Sequence, residues 1–215
     1  MTVVTRNKGL KLEFDANIMY CDYFNVESLV TALKNIEVVI CTISGPSLDL
    51  QFMILEAAKK TGIRRFFPSE FGPDPRLGGN VVMYDIKKGV LNAVISSGIE
   101  WTVIAPGLFT EYLYDSFFGF DLKNHCAILY GSRYSVVSFS CIKSVGEYVA
   151  ESINHPLSKN AVLTFASETK SYGDIIQDIE LATNIQWGVI YKPVTDLQPV
   201  VNAATDKWKL SEKLF

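Results

Sequence analysis

From residue 36 to residue 107, strand-like and helix-like runs follow one another without a break, and that order leaves few architectures open. IEVVICTIS (36–44) is apolar almost throughout, the texture of a strand buried on both faces. LDLQFMILEAAKKTG then predicts a helix closed by Gly62. IRRFFPSEFG returns to a strand halted by Pro68, YDIKKGVLNAVISSG predicts a helix stopped by Gly98, and IEWTVIAPG (99–107) predicts the next strand. Such repetition implies an α/β fold, a parallel sheet with helices on both faces joined by right-handed crossovers. Upstream, TVVTR and NIMYCD (17–22) read as two more strands, and NVESLVTALKN as a helix with Asn25 at its N-cap.

After Gly107 the texture changes. LFTEYLYDSFFGF is rich in aromatics, AILYGSRYSVVSFS reads as a hairpin turning at Gly131-Ser132, and SVGEYVAESINHP as a short helix. AVLTFA, the helix SYGDIIQDIELATN and the strand-like QWGVIYKPV follow. We expect residues 1–107 to form one domain and residues 108–215 a smaller mixed α/β lobe interwoven with it.

Composition narrows the function classes. Hydrophobic residues make up 48% and charged residues 20%, which argues against disorder. Net charge is −3 with no basic run, which argues against nucleic acid as a partner. No apolar stretch approaches the ~18 residues that span a bilayer, and no signal-peptide segment opens the chain, so a cytoplasmic, membrane-free protein is expected. The four cysteines are widely spaced without a CxxC pair and read as reduced thiols. His125 and His155 stand alone, so no metal site is expected.

In open parallel sheets ligands sit at the carboxyl ends of the strands. Those ends are Arg6-Asn7, Thr42-Ser44, Pro68-Gly72 and Ala105-Gly107. Within RRFFPSEFGPDP, Pro68 forces a turn that leaves the Ser69 hydroxyl and the Glu70 carboxylate at that edge; a tight turn with Ser69 bonded to local backbone explains the same residues. On the following helix Tyr84 lies three residues before Lys87 and four before Lys88. Tyr84 and Lys88 match the Tyr-x-x-x-Lys spacing of short-chain dehydrogenases, but two fixed positions arise easily by chance and a solvated lysine face is the default explanation.

Together, RRFFPSEFGPDP and YDIKKGVLNAVISSGIEWTVIAPGLFTEYL resemble the isoflavone reductase-like branch of the NmrA-like family, atypical short-chain dehydrogenases that include phenylcoumaran benzylic ether reductases. The resemblance runs over nearly the whole chain. It implies a Rossmann-like sheet in which MTVVTR is the second strand. The first strand–helix unit, with its phosphate-binding glycine loop, would then be missing: none of the fourteen glycines forms G-x-G-x-x-G or G-x-x-G-x-x-G. It also implies that the family continues past the helix begun by TDLQPVVNAATDKW.

The resemblance places the catalytic lysine on Lys87, with Tyr84 at a position the family fills with an aromatic residue. It sets Pro68, Ser69, Glu70 and Phe71 on the nicotinamide side of the cofactor, and Thr42 and Ser44 near its ribose and phosphates. Arg6 would read the adenosine 2′-phosphate, implying NADPH rather than NADH. Leu91 replaces a basic residue common in the family. Phe109, Tyr112, Tyr114, Phe117 and Phe118 would contribute to a pocket for a flat aromatic substrate. Three functions follow: an NADPH-dependent reductase of a small aromatic or phenylpropanoid-like substrate, a non-enzymatic dinucleotide sensor with a protein partner, or a truncated family member with little activity.

Overall fold

The computed structural model describes residues 1–43, 45–77, 82–114, 118–197 and 199. They form β1 (Thr2–Thr5), β2 (Asn17–Tyr20), α1 (Val26–Ala32), β3 (Val38–Ile40), α2 (Gln51–Thr61), β4 (Arg65–Phe67), α3 (Val82–Ser96) and β5 (Glu100–Ala105). There follow β6 (Leu108–Phe109), α4 (Thr110–Leu113), β7 (Phe120–Asp121), β8 (Cys126–Tyr130), β9 (Val136–Ser140) and α5 (Ile142–Ser152). The last are β10 (Ala161–Thr164), β11 (Glu168–Ser171), α6 (Tyr172–Thr183) and β12 (Gly188–Lys192). Most of the helix expected from TDLQPVVNAATDKW lies outside the described residues.

Two compact units result. One comprises Met1–Ser69, Met83–Val103 and Pro156–Ala161; the other comprises Glu70–Val82, Ile104–His155 and Val162–Phe215. The first unit carries the α/β alternation expected from the sequence. β1 and β2 pair in parallel, with Thr2 opposite Asn17. In a second sheet β3, β4 and β5 run parallel in that order. Chain order thus runs from β1 to β2 in one sheet and from β3 through β4 to β5 in the other.

Local chemistry explains the helices. The Asn25 side chain accepts from the Glu27 and Ser28 amides and caps α1, a contact worth about 1 kcal/mol. On α2, Gln51, Ile54, Leu55 and Ala58 recur at helical spacing and are buried, and Gly62 at φ 73° ends the helix in the left-handed region. Ala57 and Ala58 are fully buried, and α2 packs on α1. β3 is shorter than the apolar run 36–44, although the Cys41 amide continues its ladder to the Phe67 carbonyl. The core of this unit gathers Leu29, Val39, Ile54, Phe66, Val90 and Val94.

A partly buried ion pair ties β4 to β5. Arg65, 4% exposed, donates to the Glu100 carboxylate at 3.0 Å and to the Ser158 hydroxyl at 2.8 Å. Hydrogen bonds from Lys159 and then Arg65 hold the Glu100 carboxyl below the usual carboxylate range.

The second unit holds two mixed sheets, β11-β9-β6 and β12-β8-β7. Here the expected hairpin at Gly131-Ser132 is not formed. β8 pairs with β12 in parallel and with β7, whereas β9 pairs with β11 and β6. The Gly131 amide continues the β8–β12 ladder to the Lys192 carbonyl, and the Arg133 and Ser135 carbonyls accept from Gly173 and Tyr172 at the start of α6. The connecting loop is therefore spent on joining two sheets. A capping box between Ser171 and Asp174 starts α6, and Asn184 in the left-handed region ends it. Leu113, Phe120, Leu129, Phe139 and Ile175 lie at the centre of this unit's core.

Gly107 fixes how β5 gives way to β6. It sits at φ 75°, and an added Cβ would lie 2.3 Å from the Ser138 carbonyl oxygen in β9. Gly107→Ala is expected to cost about 2–4 kcal/mol, combining the left-handed penalty with a backbone clash. Urea unfolding followed by circular dichroism checks this; a midpoint within error of wild type refutes it.

Candidate functional site

The expected ligand edge of the first unit is built from the segments that follow β1, β3 and β4. Arg6, exposed just past β1, reaches the Ser47 hydroxyl at 3.4 Å in the 3-10 turn Gly45–Leu50. Its guanidinium also lies 5.5 Å from the centre of the Tyr23 ring. Tyr23 in turn donates its hydroxyl to the Val4 carbonyl at 2.7 Å. Burial, and then the neighbouring thiols Cys21 and Cys41, push the Tyr23 phenol up to about 12, with the Arg6 guanidinium working against them. The phenol therefore keeps its proton at neutral pH and remains a donor. A planar fork held between a ring and a hydroxyl, and open to solvent, is suited to a phosphate dianion.

β4 ends in a different arrangement. Pro68, Ser69 and Glu70 are buried. The Ser69 hydroxyl donates to the Ile43 carbonyl at 2.6 Å, and the Ser69 amide donates to the Gln51 side chain at 2.7 Å. Gln51 itself is 1% exposed and donates to the Leu48 carbonyl. Ser69 thus binds backbone 26 residues away rather than its own turn, and it holds the loop after β3 against the end of β4. Thr42, in that loop, is exposed. Phe71 follows at φ 26°, a conformation that costs a non-glycine residue about 1–3 kcal/mol.

On α3, Lys87 is buried at 9% exposure, Tyr84 is half-buried and Lys88 is exposed. A helical turn places Tyr84 and Lys87 on one face, whereas Lys88 faces solvent. Leu91, the departure from the family pattern, is buried. In the second unit, Phe109 and Tyr112 meet edge to face at 5.9 Å, with Tyr112 half exposed. Tyr114 and Phe118 pack instead against that unit's core. Ser44 and Phe117 lie outside the described residues.

Three contributors were not singled out from the sequence: Tyr23, Ser47 and Gln51. Gln51 carried a readable signal, a polar side chain on the apolar face of a helix. Tyr23 and Ser47 carried none, because only tertiary folding brings them to Arg6. Among the described residues no group of three or more His, Cys, Asp or Glu side chains is placed to hold a metal ion. All four cysteines are free. No helix among the described residues is long and apolar enough to cross a membrane.

A parallel sheet with charged and hydroxyl groups at its carboxyl edge defines the Rossmann-like class. The profile of the NmrA-like family matches residues 4–202, and the chain belongs to that family. Oxidoreductase aprR of Aspergillus flavus is 31% identical over 197 residues, covering 88% of this chain and 66% of that protein. Phenylcoumaran benzylic ether reductase PT1 of Pinus taeda is 28% identical over 171 residues, covering 75% and 56%. The chain therefore spans less than two thirds of either relative's length. A solved binary complex of leucoanthocyanidin reductase and NADPH from Vitis vinifera superimposes with a TM-score of 0.80 at 23% identity, covering 92% of this chain and 70% of that one. That likeness is one of fold.

Proposed function

We propose that these residues form part of an NADPH-dependent reductase for a small aromatic, phenylpropanoid-like substrate. The observation that carries this reading is the Arg6 guanidinium, fixed on Tyr23 and Ser47 and open to solvent at the carboxyl end of β1. The donor set fits the adenosine 2′-phosphate of NADPH, a dianion that a guanidinium fork binds in bidentate fashion. The 215 residues contain no glycine loop for the pyrophosphate. Family membership and the reductase and oxidoreductase relatives support the class of reaction.

When bound, NADPH supplies a hydride equivalent. The roles left to this chain are positional and protic. Arg6 anchors the 2′-phosphate end, and Thr42 offers an exposed hydroxyl toward the ribose and phosphates. Ser69 and Gln51 hold the loop after β3 in place through buried hydrogen bonds. The Pro68–Phe71 turn borders the nicotinamide. The Lys87 ammonium donates a proton or hydrogen bond to the oxygen of the substrate on which negative charge develops. Tyr84 shares its helix face. Phe109 and Tyr112 offer ring surfaces to a flat substrate.

Titration of intrinsic fluorescence with NADPH and NADH tests the cofactor. Wild type is expected to prefer NADPH, and Arg6→Gln to weaken NADPH binding ~10- to 100-fold while leaving NADH unchanged, the range of one charged hydrogen-bonding partner. Absence of binding at millimolar NADPH removes the reading, and an equal loss for both cofactors removes the role of Arg6.

A further inference from the structure

β12 is an outer strand: its sheet runs β12-β8-β7, so one of its edges faces no strand among the described residues. The ladder fixes which backbone groups lie there. The Gly188 amide donates to the His125 carbonyl, and the Lys192 carbonyl accepts from the Gly131 amide. Gly188, Ile190 and Lys192 therefore turn their backbone groups toward β8, and Val189 and Tyr191 turn theirs outward. The free stretch is closed at both ends. Upstream the Trp187 amide is taken by the Glu180 carboxylate at 2.8 Å, and downstream Pro193 has no N–H to offer. Folded proteins ordinarily blunt such edges with charge or brevity. In this unit β6 and β7 have two residues each, and β11 carries Glu168 and Lys170. β12 has neither protection at its middle, where Val189, Ile190 and Tyr191 follow one another. Side chains add a second observation. Ile190 lies opposite Ile128 of β8 and the two are 57% and 41% exposed, although parallel strands are ordinarily covered on both faces.

We propose that β12 is a dimerisation edge, along which a second copy of this chain adds its own β12 antiparallel about a two-fold axis through Ile190. The free groups are placed symmetrically about that residue, so the strand is its own complement. Val189 of each copy exchanges both backbone hydrogen bonds with Tyr191 of the other, and every outward group of the two strands finds a partner. Ile190 meets Ile190 as a non-hydrogen-bonded pair, with Cα atoms about 4.5 Å apart. Because Ile190 already neighbours Ile128, the exposed pair becomes a row of four isoleucines across a continuous six-stranded sheet. The ends match in charge as well. Lys192 of one copy lies opposite Gly188 of the other, one residue from the Trp187 amide that Glu180 holds, so cation and anion are brought together at both ends. A two-fold pair consumes both free edges and stops at two. The surface lies wholly in the second unit, and its occupation does not depend on the cofactor reading.

Sedimentation velocity of the full chain across about 1–200 µM is expected to show a reversible monomer–dimer equilibrium in the micromolar range, that of an interface of small area. Ile190→Lys and Ile190→Glu each set like charges opposite one another at the axis and are expected to weaken dimerisation at least about tenfold. An equimolar mixture of the two is expected to recover association to within about threefold of wild type, because residue 190 then meets its opposite charge. Ile190 is exposed, so the circular dichroism spectrum of either variant is expected to match wild type. Ile190→Cys supplies a readout by gain rather than loss. Mild oxidation is expected to give a covalent dimer on a non-reducing gel, since cysteines at a non-hydrogen-bonded pair fall within disulfide range. Lys192→Cys, whose two copies would lie roughly 13 Å apart in this register, is expected to give none beyond the background from the native cysteines. A monomer throughout the range, association that neither charge variant weakens, no recovery in the mixture, or equal cross-linking through residues 190 and 192 overturns the proposal. Growth beyond dimers that Ile190→Lys abolishes does so too, because a two-fold pair leaves β12 no edge to extend.

Discussion

Replacing Phe66 with alanine is expected to cost about 3–5 kcal/mol of stability, the range for emptying a buried aromatic site. Phe66 is fully buried at the centre of β4, opposite Val39 on β3 and Trp101 on β5. Its ring belongs to the cluster that also holds residues of α2 and α3, so no single element can move inward to fill the space. Whole domains are stable by only about 5–15 kcal/mol, and the change would remove a large share of that margin from the first unit. Phe24→Ala provides the contrast, because its side chain is 65% exposed and surface changes usually stay within about 0.5 kcal/mol. Urea unfolding of both variants gives the comparison. Equal midpoints for the two would show that β4 is not the middle of a packed core.

Lys87→Met is expected to lower turnover between about 10²- and 10⁴-fold, the contribution of a positioned general acid. Methionine retains the aliphatic stem that α3 buries and removes the ammonium, and a urea midpoint measured beside the assay separates lost chemistry from lost stability. The assay follows NADPH oxidation with phenylpropanoid-type substrates, alongside a fluorescence titration of NADPH. The expected signature is a fall in kcat with NADPH affinity largely kept. Lys88→Met, one residue on and exposed, is expected to leave turnover within a factor of about two, because a solvated surface lysine touches nothing that reacts. Full turnover in Lys87→Met together with its loss in Tyr84→Phe would transfer the acid role to the phenol.

Helix boundaries were readable from the sequence because the interactions that set them are local. Asn25, Gly62 and Gly98 each act within a few residues, and all stand at the ends of the helices they were expected to bound or cap. The parallel α/β order of the first unit was equally legible, since alternating strand and helix runs admit few other folds. Family resemblance supplied the proposed roles of Arg6 and Lys87; spacing alone leaves the one at a strand end and the other as one of two adjacent lysines.

Folding in three dimensions settled the rest, for reasons of distance along the chain. The alternating run around Gly131-Ser132 suits a hairpin, yet β8 and β9 each have partners on both edges, contributed by strands that include distant β12 and β11. No local pattern encodes which edge a strand will choose. The phase of α3, with Lys87 inward and Lys88 outward, depends on what the helix packs against. Ser69 finds its acceptor 26 residues away at Ile43, and Tyr23 finds Val4 across β1. Those long-range bonds shape the carboxyl edge of the sheet.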